Sequence, residues 1–255
     1  MMTSRFTDRT ALVTGAGSGI GRAVALAFAA EGANVVVAGR RRGPLDETVA
    51  LAEAAGGKAL AVTADVSRAA DLQAAVAAAV ERFGSLDVAV NNAGVFHGGG
   101  PLADLSEEDW HTQLGINVTG VFLALQAEIR QMRTQPAGGA IVNIASTFGL
   151  HKRQPGATAY AATKAAVSVL TRGAALDHIG DGVRINAVSP GATATSMSLR
   201  PGETEAGRAE RMQREVPLGR VASVEEVAAA VLYLASDDAA SVVGTELVVD
   251  SGQTA

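Results

Sequence analysis

A phenol and an ammonium stand one helical turn apart in Tyr160-Ala161-Ala162-Thr163-Lys164, a segment whose pattern reads as helix, so the two side chains share one face. A free phenol titrates near about 10, and a cation beside it stabilises the phenolate, which suits the pair to exchange a proton with a substrate near neutral pH. Tyr160 is therefore a candidate general acid/base and Lys164 the group that lowers its pKa. The competing reading is a buried tyrosine one turn before a surface lysine. With two tyrosines and three lysines in 255 residues, chance seldom makes that pairing, and the neighbouring segments decide. Zinc-polarised carbonyl chemistry is not expected: the chain has no cysteine, and His97, His111, His151 and His178 lie without ligand spacing. No metal site is expected, and disulfides are excluded.

A glycine cluster offers a second chemistry. Thr14-Gly15-Ala16-Gly17-Ser18-Gly19-Ile20-Gly21 directly follows the first expected strand and opens the first expected helix. In that setting glycine lets the backbone approach a pyrophosphate, whose charge is stabilised by the free N–H groups of the helix N-terminus. The spacing fits Gly15-x3-Gly19-x-Gly21 better than G-x-G-x-x-G, because Ile20 stands three after Gly17. Gly15, Ser18, Gly19, Ile20 and Gly21 are the candidate cofactor-binding positions. Dinucleotide-binding domains often end their second strand on a carboxylate for the adenosine ribose, but here the run is Val37-Ala38-Gly39-Arg40-Arg41. Arg40 and Arg41 are suited to grip a 2′-phosphate through paired hydrogen bonds, which predicts NADP(H) in preference to NAD(H), with NAD(H) still possible. The competing reading is a solvated basic loop at 40–42.

The elements that would position these groups follow from the pattern. Short β-branched or apolar runs at 11–14, 34–38, 58–63, 86–90, 140–145, 184–188 and 246–249 alternate with Ala-rich helical stretches at 19–31, 45–55, 69–83, 106–133, 157–179 and 224–234. This is the alternation of an α/β Rossmann fold, a seven-stranded parallel sheet flanked by helices on both faces. The strands are too apolar to alternate, as befits a sheet buried on both sides. A single domain over 1–255 is expected, with a polar segment at about 193–216 that breaks the rhythm and reads as a substrate loop or lid. The net charge of −5 leaves no basic surface for nucleic acid. Residues 1–8 are polar and no apolar run reaches membrane-spanning length, so neither a signal peptide nor a membrane partner is expected, and a cytoplasmic location is.

Together the motifs resemble those of the short-chain dehydrogenase/reductase family, of the non-extended, single-domain kind, almost end to end. The glycine motif matches Thr14 to Gly21, the acidic adenine contact after the third strand matches Asp65-Val66, and the Asn-Asn-Ala-Gly motif matches Asn91-Asn92-Ala93-Gly94. The active-site Asn matches Asn117, the Ser after the fifth strand Ser146, and Tyr-x3-Lys matches Tyr160 and Lys164. The Pro-Gly motif matches Pro190-Gly191, followed by Thr193 and by Thr195 in the place of the threonine that contacts the nicotinamide carboxamide. The resemblance implies an NAD(P)-dependent oxidoreductase moving hydride between nicotinamide C4 and a ketone or secondary alcohol. Ser146 and Tyr160 would hydrogen-bond the substrate oxygen, and Tyr160 would transfer the proton. Lys164 would hold the nicotinamide ribose, and Asn117 would sustain a water-borne proton path to Lys164. It further implies a homotetramer, to which the Ala-rich face of 157–175 and Leu247-Val248-Val249 could contribute.

The chain departs from the family in the loop after Ser146, where Ser146 and Tyr160 are separated by one residue more than is usual. The doubt this raises concerns the substrate wall, because both side chains stay anchored on their own elements. Within that loop His151, Lys152 and Arg153 could attract an anionic substrate or simply be solvated. Phe96, His97, Phe148, Leu150, Met197 and Met212 are candidate pocket residues. A 3-ketoacyl-carrier-protein reductase is an alternative: Arg130 and Arg133 favour an acidic carrier, while Asp177 and Asp181 disfavour one. Outside enzymes, the alternative is a nucleotide-sensing regulatory protein, which would have no need of the general acid.

Overall fold

A computed structural model describes residues 4–255; residues 1–3, which fall within the N-terminal reading of 1–8, lie outside them. Seven strands, β1 (Thr10–Thr14), β2 (Asn34–Gly39), β3 (Lys58–Thr63), β4 (Val88–Asn91), β5 (Gly139–Ile144), β6 (Val183–Pro190) and β7 (Glu246–Val249), form one sheet in the order β3-β2-β1-β4-β5-β6-β7. Every pairing is parallel; Leu12, for instance, sits opposite Val36 on one side and Ala89 on the other. The chain reverses direction across the sheet between β1 and β4, so the loops at their carboxyl ends diverge and leave a crevice for a ligand.

Helices cover both faces, as the continuous apolar runs of the strands require. On one face α1 (Gly19–Ala30), α2 (Arg42–Ala54) and α9 (Val224–Ala235) bury Phe28, Leu45, Val227 and Val231 against Val13, Val35 and Val90. On the other, α3 (Ala69–Phe83), α5 (Gly120–Met132) and α7 (Thr158–His178) bury Val76, Leu125, Ile129 and Val167 against Leu12, Ala89 and Ile185. Among the described residues no helix is long and apolar enough to cross a membrane.

Beyond shifts of one to three residues at the ends of other elements, β1, β2, α2, β5 and β6 among them, four segments differ from the pattern reading. β4 begins at Val88 and not at 86, because Leu86 donates its N–H to Gln135 and the Asp87 carboxylate accepts from Thr10 N and Ser85 Oγ, bonds that precede the ladder. The expected helix over 106–133 is broken into α4 (Glu107–Leu114) and α5 by a wider π-helical turn, Gly115–Thr119, that carries Asn117. A wider turn inside a helix disturbs the regular ladder and so has a cause in what it must reach. The loop after Ser146 winds into a short helix, α6 (Thr147–Leu150), capped by the Ser146 side chain. The segment at 193–216 is not an irregular loop: it contains α8 (Glu205–Glu215), started by the Thr204 cap. Two arginines organise this segment, the buried Arg208 on Thr195 O at 3.0 Å and the partly buried Arg211 on the Glu203 carboxylate at 2.7 Å.

Candidate active site

All the catalytic candidates converge at the carboxyl ends of β4 and β5. Residues 160, 163, 164, 167 and 171 lie on the buried face of α7, which turns both Tyr160 and Lys164 toward the sheet. Tyr160 is 9% exposed and Lys164 3% exposed, so the surface-lysine reading fails. Lys164 Nζ donates to Ile144 O at the end of β5 at 2.8 Å and lies 5.8 Å from the centre of the Tyr160 ring. Ser146, two residues past β5, is also buried, and its Oγ accepts from Phe148 N at 3.3 Å. The Phe96 ring stands edge-on to Tyr160 at 5.2 Å and 86°.

Electrostatics here reverse one expectation. Burial pushes the Tyr160 hydroxyl up to about 12, countered only in part by its hydrogen bond with Ser146. Burial likewise pulls Lys164 down to about 8. Loss of water around each group drives both shifts, and the Tyr160 hydroxyl stands above its ordinary value rather than below it. Tyr160 is thus held as a neutral phenol, and Lys164 is brought within reach of proton exchange near neutral pH.

Asn117 grips the loop after β4. Its Nδ2 donates to Val95 O at 2.9 Å and to Thr163 Oγ1 at 3.1 Å, while its Oδ1 accepts from Val95 N at 2.9 Å. A Cβ on Gly94 would lie 3.3 Å from Asn117 Oδ1 and 3.4 Å from Lys164 Nζ, so Gly94 lets the β4 loop pass beside both.

The glycine turn is tied to that same loop. Thr14 Oγ1 accepts from Asn92 N at 3.1 Å and Ala93 N at 3.2 Å, and Asn92 Nδ2 donates to Thr14 O at 2.9 Å. Gly15 and Gly19 take φ of 66° and 53°, the left-handed region that glycine adopts without strain. Ser18 precedes α1 with no side-chain cap, which leaves the first-turn N–H groups free to bind an anion. Thr195 crosses opposite: a Cβ on Gly19 would meet its Cγ2 at 3.3 Å. Gly191 N is held by Val249 O at 2.9 Å and Thr193 Oγ1 by Gly191 O at 3.1 Å. These features fit a dinucleotide lying across the ends of β1, β4 and β6, with a pyrophosphate at Gly15, Ser18, Gly19, Ile20 and Gly21.

Just past the end of β2, Arg40 and Arg41 are exposed and make no ion pair or side-chain hydrogen bond among the described residues. Arg42 is committed to Asp46 at 2.7 Å and to Ala61 O. Asp65 accepts from the Ser67 hydroxyl and N–H, which with Arg40 nearby holds its carboxyl below the ordinary value. Val66, next to it, packs on Gly120, where a Cβ would come within 2.9 Å of Val66 Cγ2.

The loop charges at 151–153, read as either attracting an anion or simply solvated, are engaged within the chain. His151 pairs with Glu246 at 3.0 Å, Lys152 lies over the Phe148 ring at 5.7 Å, and Arg153 turns back on the carbonyls of its own loop. Met212, a candidate for the substrate wall, is 1% exposed on the buried face of α8. A cavity of about 200 Å³ is lined by His97, Leu102, Asp109, Gly156, Thr158 and Ala159 among others, and Tyr160, Ser146 and Lys164 do not line it. Thr14, Val95 and Thr163 carry bonds that motif spacing did not assign to them. Thr14→Val should strand two N–H groups at a cost of roughly 1–3 kcal/mol, seen as a lower denaturation midpoint together with weaker nicotinamide-nucleotide binding; unchanged values would mean that the Thr14 bonds do not hold the turn.

Comparison with known proteins identifies the family. A family model described as enoyl-(acyl carrier protein) reductase matches residues 15–254. The chain is 42% identical over 249 residues to the short chain dehydrogenase/reductase astE of Aspergillus oryzae, covering 96% of this chain and 94% of that one. It is 40% identical to a cyclohexanol dehydrogenase of Acinetobacter sp., covering 100% and 98%. Among solved structures, levodione reductase superposes with a TM-score of 0.93 at 37% identity, covering 98% and 99%. The chain belongs to the short-chain dehydrogenase/reductase family, as an oxidoreductase that uses a nicotinamide cofactor, NAD(H) or NADP(H), to interconvert alcohols and ketones.

Proposed function

We propose that the chain works as a cytoplasmic, NADP(H)-preferring reductase of a small ketone, or dehydrogenase of the corresponding secondary alcohol, with Tyr160 as general acid/base. The observation that carries this reading is the burial of Tyr160, Ser146 and Lys164 side by side at the end of β5. When bound, the nicotinamide supplies or takes the hydride. In reduction the neutral Tyr160 phenol gives its proton to the substrate oxygen as negative charge develops there, and Ser146 donates a second hydrogen bond to the same oxygen. In oxidation Tyr160 takes the proton back. Lys164, with its proton affinity lowered by burial, holds the ribose and replaces the Tyr160 proton, and Asn117 keeps the path beside Gly94 open. The segment at 193–216, braced by Arg208 and Arg211, serves as the substrate lid within a single domain.

Several observations support the finer parts. The uncommitted guanidinium groups of Arg40 and Arg41 favour a 2′-phosphate. A small substrate is favoured over an acyl-carrier protein because Asp181 sits near Arg133 and pairs with His178 at 2.9 Å, which offsets positive charge a carrier would use. A sensor without turnover would have no use for a buried phenol with its own second donor. Assembly as a homotetramer agrees with Phe122 on α5 and Val169 and Leu176 on α7, exposed at 47%, 65% and 78%.

Tyr160→Phe should lower kcat by roughly 10²–10⁴-fold while cofactor still binds, and near-normal turnover would refute the assignment. Arg40→Asp should shift the kcat/KM ratio of NADPH over NADH by about 10–100-fold toward NADH, the value of a charge-assisted hydrogen bond; a wild-type preference for NADH would overturn the cofactor choice. Light scattering should give the mass of four chains, and a monomer would contradict the assembly.

A further inference from the structure

One carboxyl group is buried beneath the site and takes no part in the reaction described above. Glu128 follows Val121, Ala124 and Leu125 on the inward face of α5 and is 1% exposed. Its Oε2 accepts from Asn91 Nδ2 at 2.9 Å, and the same Asn91 amide donates to Asn143 Oδ1 at 3.0 Å. Asn143 Nδ2 passes the chain on to Thr171 Oγ1 at 2.9 Å, and Thr171 ends it on Val167 O at 2.8 Å. Two oxygens of this network are left without a donor: Glu128 Oε1 and Asn91 Oδ1. Both belong to the pair already joined through Oε2 and Nδ2. An amide and a carboxylic acid satisfy each other completely when the acid keeps its proton, since the acid then donates to the amide oxygen while accepting from the amide nitrogen. An ionised carboxylate would leave two acceptors facing an apolar interior without compensation.

We propose that Glu128 is a positioning residue for the cofactor edge of β4, held as a neutral carboxylic acid that donates its Oε1 proton to Asn91 Oδ1. Asn91 is the last residue of β4, and the next residue, Asn92, carries the bonds to Thr14 and Gly15. Fixing the Asn91 side chain therefore fixes the direction in which the chain leaves the sheet toward the glycine turn, Gly94 and Val95.

The surroundings keep the proton in place. α3 presents Leu72, Ala75, Val76 and Ala79 to this layer, β4 presents Asn91, β5 presents Asn143, and α7 presents Thr171. Tyr160 and Lys164 are the titratable groups on the same face of α7: burial keeps the Tyr160 phenol neutral across this range, and Lys164 is committed to Ile144 O, its proton affinity lowered by burial. No charged group shifts Glu128; burial pushes its carboxyl up to about 7 from 4.5, with the Asn91 hydrogen bond opposing. Between those values the folded chain holds a proton that the unfolded chain has released, so stability falls as pH rises through the window and is flat above it.

Unfolding of the cofactor-free full chain by denaturant, followed from pH 5 to 8.5 for wild type and Glu128→Gln, tests the neutral acid. The Gln amide donates and accepts as the acid does and has no proton to lose. The wild-type unfolding equilibrium should shift toward the unfolded state, relative to Glu128→Gln, by up to roughly two orders of magnitude as pH rises through this window. Curves that stay parallel across it would overturn the proposal. Titration of NADPH binding by its fluorescence tests the positioning. Wild type should lose affinity several-fold relative to Glu128→Gln between pH 6 and 8.5, and Glu128→Leu, where it folds, should bind weakly at both. A constant ratio between wild type and Glu128→Gln would overturn the positioning role. The binding arm rests on the nicotinamide reading of the site and the unfolding arm does not, so failure of one is distinguishable from failure of the other.

Discussion

Side-chain hydrogen bonds at the carboxyl end of β4 hold together the two halves of this molecule's chemistry. Thr14 and Asn92 bond each other's backbone across the end of β1, and Asn117 takes both polar groups of Val95. A parallel strand that stops in the interior leaves its last N–H and C=O groups without ladder partners, and each unpaired buried group costs about 1–3 kcal/mol. Here the same bonds that remove this cost also set distances between sites. The glycine turn lies on one side of the β4 loop and Lys164 on the other, separated by the width of Asn92-Ala93-Gly94. In the proposed reading, a dinucleotide spanning the crevice would meet its phosphate donors and its reacting groups at a spacing that backbone has already set.

The second organising effect is burial. Tyr160 and Lys164 belong to a helix face that the sheet must cover, and exclusion of water moves the two groups toward their neutral forms. The phenol is kept protonated, ready to act as an acid. Ser146 supplies the one hydrogen bond that opposes this. The π-helical turn at Gly115–Thr119 interrupts helical packing at Asn117, and the bonds of Asn117 to Val95 and Thr163 are its return.

Much of this was legible in the sequence, for identifiable reasons. Seven apolar runs between helical stretches could only be a parallel sheet covered on both sides, and the glycine turn, Asn117, Ser146, Tyr160 and Lys164 occur in an order that few other arrangements reproduce. Less legible were features decided by tertiary contact. The break in the 106–133 helix has no proline to announce it, and Gly115 and Gly120 alone do not specify a wider turn. The α8 helix hides in a polar segment because its anchors are arginines, which pair with Glu203 and a backbone carbonyl only once the chain is folded. The rise in the Tyr160 pKa follows from burial, which four-residue spacing to a lysine does not report. Glu128 did leave a trace: a lone carboxylate in register with Val121 and Leu125, where a helix facing a sheet has no room for charge.

The central claim is that the buried Tyr160 phenol hands its proton to the substrate oxygen in the same step that reduces the ketone. Single-turnover reduction of a ketone by NADPH-loaded protein, compared in H₂O and D₂O, tests this most directly. The account predicts a slower reduction step in D₂O; equal rates in the two solvents would contradict it.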